Sequence, residues 1–384
     1  MDNIAGQKSS LGIATHLTVA ILVILWLIPT VGLLVSSFRD RDQISASGWW
    51  EAPFPVEQVY RTRADPDLAV QTDDGWVIEG NLFDDEALQE VFTVGGEGRI
   101  TAFSDSARNP GAFEAGQVAE LEDGVTLTVN PDGSYVVTRP DEPGRGERLY
   151  FQAEVPPDFT LGNYDTVLRA DGMTQAFINT ATVTIPATVI PILVAAFAAY
   201  ALAWMDFRGR GILIAAVVGL LVVPLQLALV PMLKFHNTIG VGQSFIGIWF
   251  AHTAFGMPLA VYLLRNYMVG LPRDIIESAK VDGATDFQVF TKIVLPLSFP
   301  ALAAFAIFQF LWTWNDLLVA KVFLPASDDS QVMTVKIADD LLGSRGGDWG
   351  ILATAAFVSI AVPILVFFSM QRFLVRGLLA GSVK

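Results

Sequence analysis

The segment with the most informative residue spacing lies at 265–296, between two long apolar stretches. Pro272 suits the first turn of a helix, and Glu277 and Lys280 then lie three residues apart on one helical face. Gly283 follows, and glycine accepts the backbone angles that end a helix and let the chain turn. This pattern favours a short charged helix that docks on another surface, and it offers no catalytic group.

A second helical stretch returns the chain from this turn to the next apolar segment. Phe287, Phe290 and Ile293 are predicted to share one face of it, and Leu295-Pro296 closes it. The alternative is an ordinary surface connector, and helix periodicity alone does not distinguish the two interpretations.

Polar residues inside apolar segments form a second candidate site, since an ionisable group within a membrane helix often has a function. Asn315 and Asp316 lie beside Trp312, a combination that suits stacking on a sugar ring and hydrogen bonds to its hydroxyl groups. Gln226 and Gln309 are further candidates for lining such a pathway. The alternative for all five is helix packing, or an interfacial position where Trp is common.

Other kinds of site are excluded by residue type. The chain has no cysteine, so it can form neither a disulfide nor a zinc–thiolate site. His16, His236 and His252 are scattered and form no metal-ligand pattern, and we expect no metal. No Ser-His-Asp arrangement emerges, and Asp84-Asp85 indicates a turn. The phosphate-binding pattern G-x-x-x-x-G-K-[ST] is missing, so any ATP chemistry must come from a partner.

Long apolar segments must position these residues. Of the 384 residues, 52% are hydrophobic and 16% charged, against about 25% charged in soluble domains. A membrane span takes about 20 apolar helical residues. Six segments are predicted to span: Leu17–Phe38, Phe177–Trp204, Ile212–Leu233, Ser244–Leu264, Leu297–Leu324 and Gly350–Met370.

Lys and Arg in the short connections predict the orientation, because they favour the cytoplasmic side. The connections at 205–211 and 265–296 and the tail at 373–384 carry these basic residues and lie on one side. Both termini are therefore predicted to be cytoplasmic, with residues 1–16 as a cytoplasmic N-terminus and 17–38 as the first span.

Residues 39–175 form an acidic extracytoplasmic insertion with 10 Arg, no Lys and 27 Asp or Glu, a net charge of −17. This charge repels phosphate and argues against a nucleic-acid partner. Alternating β-branched runs at Val125–Val129 and Tyr135–Thr138 flank Asn130-Pro131-Asp132-Gly133, which predicts a β-hairpin. Further predicted strands are Trp76–Ile78, Arg99–Phe103 and Arg148–Ala153.

The loop at 265–296 resembles the cytoplasmic signature loop of ABC importer permeases, Glu-Ala-Ala, three residues, Gly, nine residues, Ile-x-Leu-Pro. The matching residues are Glu277, Ser278, Ala279, Asp282, Gly283, Ala284, Ile293, Leu295 and Pro296. Ser278 departs from the pattern by one small-for-small exchange. The resemblance extends over residues 176–372, which would form a five-helix core, and over the tail.

That resemblance implies an all-α polytopic membrane protein with six transmembrane helices and the type I fold of ABC importer permeases, carrying an inserted, mostly β domain. It implies a bacterial inner membrane location, embedded in lipid. The expected partners are a second related permease, two copies of an ATPase that bind ATP and Mg, and a periplasmic sugar-binding protein. The tail residues Gly381, Ser382, Val383 and Lys384 would contact the ATPase.

Residues Ala251–Gly256 and Trp314-Asn315-Asp316 resemble the carbohydrate branch of maltose-type second permeases, and the large insertion resembles the sub-branch associated with α-glucoside uptake. The implied function is a permease subunit that forms half of the sugar pathway and couples it to ATP hydrolysis elsewhere. Two other classes remain as alternatives: a membrane-anchored sensor or binding protein that uses the acidic domain, and a secondary transporter. The first predicts a cytoplasmic signalling domain, and the second predicts duplicated halves with paired intramembrane charges.

Overall fold

The computed structural model describes residues 10–73, 75–84, 99–144, 146–341 and 348–379. The chain divides into two compact units, Met1–Asp165 with Asp348–Thr354, and Thr166–Gly347 with Ala355–Lys384. Each unit is described separately below. The predicted ATPase-contacting tail residues, Gly381 to Lys384, lie outside the described residues.

The first unit joins a long apolar helix to a β-sandwich. Helix α1 spans Ser10–Ser37, and the short helix α2 spans Arg41–Ala46. The strands that follow are β1 Val56–Arg63, β2 Ala69–Thr72, β3 Gly75–Asn81, β4 Arg99–Ser104, β5 Phe113–Glu114, β6 Val118–Glu120, β7 Thr126–Val129, β8 Ser134–Arg139 and β9 Arg148–Val155. They form two antiparallel sheets, with strand orders β1-β9-β4-β5 and β2-β3-β8-β7-β6.

The two sheets share one apolar core because their strands alternate buried and exposed side chains. Strand β9 shows this alternation, and its Phe151 belongs to one buried cluster with Phe103 of its own sheet and with Ile78 and Leu127 of the other. The predicted hairpin is confirmed as β7 and β8, with Val129 opposite Tyr135. Gly133 adopts φ +83° at the turn, as the sequence required.

The second unit is helical. Helices α3 Gly162–Leu168 and α13 Trp349–Leu379 contribute residues to both units. The others are α4 Met173–Trp204, α5 Arg210–Leu220, α6 Leu225–Thr238, α7 Phe245–Val269, α8 Arg273–Val281, α9 Asp286–Leu297, α10 Phe299–Trp314, α11 Leu318–Phe323 and α12 Met333–Lys336. Helices α4, α7 and α10 pack closely and supply most of the buried core.

Four helices are long and apolar enough to cross a membrane, namely α1, α4, α7 and α13, and two bent pairs raise the number to at most six. The predicted span at Ile212–Leu233 is not one straight helix. The segment is α5 and α6, bent by 110°, because Pro224 has extended backbone angles and lacks the amide hydrogen that a helix would use.

The predicted span Leu297–Leu324 is also interrupted. Helix α10 ends at Trp314, and α11 begins only at Leu318, after a break at residues 315–317. At its other end, α10 meets α9 at an angle of 69°. Ser298 lies at this bend, and its backbone angles (φ −86°, ψ 0°) leave the helical region.

Candidate functional site

Helix α8 carries the charged residues singled out in the loop at 265–296. Pro272 was predicted in its first turn, but it lies one residue before the helix, at the N-cap, with extended backbone angles. Ile276 is 2% exposed and packs into the bundle core, while Glu277 and Ser278 are exposed. The helix therefore rests on the bundle by one face and presents its charged face outward.

The helix ends in a hydrogen-bonded turn centred on Gly283. The Ala284 amide donates to the Ala279 carbonyl at 2.9 Å, and the Gly283 amide donates to the Lys280 carbonyl at 3.1 Å. These two bonds define the Schellman helix end, in which the residue after the cap takes a left-handed conformation. Gly283 has φ +84°, and a Cβ placed there would meet no atom within 4 Å. The turn thus exposes bare backbone to the surroundings.

A second set of polar contacts fixes the start of α9, which follows the turn at Gly283. The Thr285 and Gln288 side chains and backbone amides form a capping box at the start of α9. Asp286 Oδ1 lies 3.0 Å from Lys280 Nζ, and the Tyr200 hydroxyl donates to the same oxygen at 3.3 Å. One carboxylate therefore ties α8 and α4 together across the turn.

Sequence reasoning missed this role of Asp286 and Tyr200. Lys280 and Asp286 lie on different helices, and Tyr200 is 86 residues from Asp286, so no local spacing signals the contact. The expected partner of Lys280 by helical spacing was Glu277. In the described part of the chain, Glu277 has no ion-pair partner, and its carboxylate faces outward.

Aromatic packing anchors the loop to the bundle. The ring of Phe290, which is 3% exposed, lies 4.7 Å from that of Phe197 and 5.2 Å from that of Tyr200. Residues Phe290–Val294 form a π-helical turn, a feature often found at functional sites. The predicted shared face of Phe287, Phe290 and Ile293 is wrong, because Phe287 is 66% exposed while Phe290 is buried.

The structure separates the five candidate pathway residues into two groups. Gln226, Trp312 and Asn315 are exposed on the isolated chain, and the Asn315 amide donates to the Leu311 carbonyl of its own helix at 3.1 Å. Gln309 and Asp316 are enclosed by neighbouring helices. The candidates therefore do not form one cluster.

Gln309 joins three helices. It is 2% exposed, and its Nε2 donates to the Ala187 carbonyl at 3.1 Å and the His252 carbonyl at 3.4 Å. The space it occupies exists because residue 256 is glycine: a Cβ there would lie 2.6 Å from Gln309 Oε1. These contacts favour the structural alternative, polar packing between helices.

Asp316 sits in the break between α10 and α11. Its carboxylate accepts hydrogen bonds from the amides of Ala320 at 2.9 Å and Val319 at 3.3 Å, so it caps α11. His252 Nε2 lies 3.9 Å from Asp316 Oδ2 and has no hydrogen-bond partner among the described residues. The break thus contains a buried polar pair that was not predicted from the sequence.

Replacing Asp316 with alanine should destabilise the purified protein, because a lost helix cap costs about 1 kcal/mol. Asp316→Asn should lose less stability than Asp316→Ala, since asparagine caps helices about as well as aspartate. Thermal unfolding in detergent checks this order. Uptake is then measured below the unfolding temperatures of both variants, to test whether Asp316 lines the pathway. Normal uptake affinity and rate in Asp316→Ala would show that it does not.

No cluster of three or more acidic, histidine or cysteine side chains that could hold a metal ion occurs within the residues the structure describes. Asp84 ends a short helical turn after β3, and Asp85 lies outside the described residues.

Residues 168–379 match the family described as the binding-protein-dependent transport system inner membrane component. This match covers more than half of the chain. The chain belongs to that family. It is a permease subunit of an ABC importer, a multi-pass inner membrane protein, and not a catalytic enzyme. Such permeases work with an ATPase and a periplasmic binding protein, and the predicted membership of the ABC importer permease family is confirmed.

Full-length similarity links the permease to one relative in particular. It is 55% identical to the alpha-glucoside transport system permease protein AglG of Rhizobium meliloti (strain 1021) over 386 residues, which is 98% of each chain. It is 56% identical to the osmoprotective compounds uptake permease protein GgtD of Synechocystis sp. (strain ATCC 27184 / PCC 6803 / Kazusa) over 226 residues, 59% of this chain and 76% of that one.

More distant likenesses cover a smaller share of the chain. The permease is 35% identical to the trehalose transport system permease protein SugB of Mycobacterium tuberculosis (strain CDC 1551 / Oshkosh) over 232 residues, 60% of this chain and 84% of that one. Among solved structures, a bacterial ABC transporter involved in the import of alginate aligns with a TM-score of 0.48 and 23% identity, over 57% of this chain and 81% of that one.

Proposed function

We propose that this permease serves an importer of α-glucosides. The observation that carries the proposal is the length of the alignment with the α-glucoside permease, which at 98% of both chains includes the inserted β-sandwich. The alignments with GgtD and SugB cover 59% and 60% of this chain, leaving about the length of the insertion outside. The insertion therefore accompanies the α-glucoside relative and supports its substrate class.

The assembly we propose contains this chain, a second related permease, two copies of an ATPase subunit and a periplasmic sugar-binding protein. Both termini and the loop at 265–296 lie in the cytoplasm, and the sandwich lies in the periplasm. The excess of Lys and Arg in the connections on one side supports this orientation. The chain and its partner permease each form half of the sugar pathway.

The loop at 265–296 is the proposed coupling element. Glu277, Ser278, Asp282 and Gly283 are exposed and available to an ATPase cleft. Behind them, the Lys280–Asp286 ion pair and the Phe290 packing hold the turn against α4. A push on the turn therefore reaches α4 directly and α10 through α9. This rigidity supports a role in passing movement of the ATPase to the membrane helices.

The substrate class can be tested by uptake in cells that lack this permease and carry it on a plasmid. We expect uptake of labelled maltose or trehalose, both α-glucosides, to be restored and to be inhibited by unlabelled α-glucosides. Cellobiose, a β-glucoside of similar size, is the matched competitor and should not inhibit. Equal inhibition by cellobiose, or uptake that does not depend on the permease, would contradict the proposal.

A further inference from the structure

Exposed aromatic residues surround the point where α1 meets the sandwich. Trp50 and Phe54 are each 64% exposed, Phe159 is 53% exposed and Trp349 is 65% exposed. All four belong to the first unit, and we call them the boundary aromatics. Large apolar side chains with this exposure in one region indicate an interaction surface.

The chain folds back along α1 directly after that helix ends. Gly32 is buried, although nearly all of α1 is exposed, because the Trp49 indole lies against it. A Cβ at Gly32 would lie 2.8 Å from Trp49 Nε1. Gly32 precedes the end of α1 by five residues, or about 7 Å along the helix axis. Trp49 is therefore held alongside the membrane-spanning helix, inside its end.

A buried arginine fixes this fold-back. Arg39 is 3% exposed, and its guanidinium donates to the Gln43 carbonyl at 2.8 Å, the Ser47 hydroxyl at 2.6 Å and the Ser47 carbonyl at 3.2 Å. These bonds close the segment between the end of α1 and Trp49. Turns at 48–54, including a bond from the Phe54 amide to the Glu51 carbonyl at 2.8 Å, then keep Phe54 close to Trp50.

The other two boundary aromatics are held at the level of the helix end. The Thr160 amide donates to the Phe38 carbonyl at 2.7 Å, which places neighbouring Phe159 beside the last turn of α1. Trp349 precedes Gly350, where a Cβ would lie 2.7 Å from the Arg39 carbonyl oxygen. Separate parts of the sequence thus bring residues next to boundary aromatics to the end of α1.

We propose that the boundary aromatics insert into the headgroup region of the membrane leaflet nearest the sandwich, so that the base of the inserted domain rests on lipid. Two observations identify lipid as the occupant. The surface is continuous with a membrane-spanning helix, and Trp and other aromatic rings partition to membrane interfaces. The insertion carries a net charge of −17, so anionic headgroups would repel it and the contact must be apolar.

The absence of cysteine from the chain makes this directly testable with single spin labels. Trp50→Cys, Phe54→Cys and Phe159→Cys would be labelled in the full-length chain, purified with its partner subunits in phosphatidylcholine–phosphatidylglycerol nanodiscs. Collision rates with oxygen, which concentrates in lipid, and with a water-soluble nickel chelate would be measured by electron paramagnetic resonance. Val70→Cys, on the edge strand β2 and 63% exposed, is the matched control.

At positions 54 and 159, and at 50 if that variant folds, we expect an oxygen-to-nickel ratio at least several-fold above that at position 70. The ratio should stay the same or rise when phosphatidylglycerol is replaced by phosphatidylcholine, because the contact is apolar and anionic headgroups repel the acidic insertion; a fall would contradict the proposal. Nickel access equal to that at position 70 would show that the residues face water. Low access to both reagents would show that protein covers them. Either result overturns the proposal.

Discussion

Replacing Gly283 with leucine should abolish most substrate-stimulated ATP hydrolysis while leaving the permease folded. The turn at Gly283 has open space around it within this chain, so a side chain there meets no atom of the permease but would collide with an approaching partner. A clash that weakens docking by 1.4 kcal/mol lowers the affinity about tenfold, and we expect at least that loss. Co-purification of the ATPase and ATP hydrolysis in proteoliposomes measure it.

Gly209 provides a matched control for this substitution. It also has a positive φ, of +90°, and a Cβ there would meet no atom within 4 Å. Leucine at either position therefore carries a similar backbone strain, on the order of 1–3 kcal/mol, and a similar gain of apolar surface. Gly209→Leu should retain ATPase assembly and transport. If Gly283→Leu also assembles and transports normally, the proposed coupling role of the turn is wrong.

The second large effect is expected from Phe290→Ala. This side chain is 3% exposed and packs against the rings of Phe197 and Tyr200. Removing a buried phenylalanine ring costs about 3–5 kcal/mol, because both burial and packing are lost. We expect a marked fall in the thermal unfolding temperature, together with loss of coupling, since the loop would lose its anchor to α4.

Phe287→Ala separates anchoring from docking. Phe287 lies three residues earlier on α9 but is 66% exposed, so the same substitution should leave the unfolding temperature nearly unchanged. If Phe287 forms part of the docking surface, ATPase co-purification falls without a change in stability. Equal destabilisation by the two substitutions would show that the aromatic cluster around Phe290 does not anchor the loop.

The sequence correctly predicted those elements whose conformation depends on neighbouring residues in the chain. The β7–β8 hairpin followed from the Asn130–Gly133 turn, and the end of α8 followed from the need for a positive φ at Gly283. The family resemblance came from the spacing between Glu277 and Pro296, which is a property of sequence. None of these inferences required knowledge of distant contacts.

The errors and omissions have a common physical origin in tertiary packing. Periodicity placed Phe287 and Phe290 on one face, but only Phe290 packs against the rings of Phe197 and Tyr200, while Phe287 is exposed. Hydropathy joined α5 to α6 because it averages over Pro224. The contacts of Asp286 with Lys280 and Tyr200 depend on how α9 packs against α8 and α4. Residue spacing along the chain does not predict that packing.

The fit of Gln309 into the space beside Gly256 has an evolutionary consequence. A methyl group at position 256 would collide with the Gln309 side chain, so either change made alone leads to a clash or to a vacated space. The two positions should therefore co-vary among homologues, with substitutions occurring in a preferred order. A larger residue at 256 requires the end of the Gln309 side chain to leave its present position, so it should appear together with or after a change at 309.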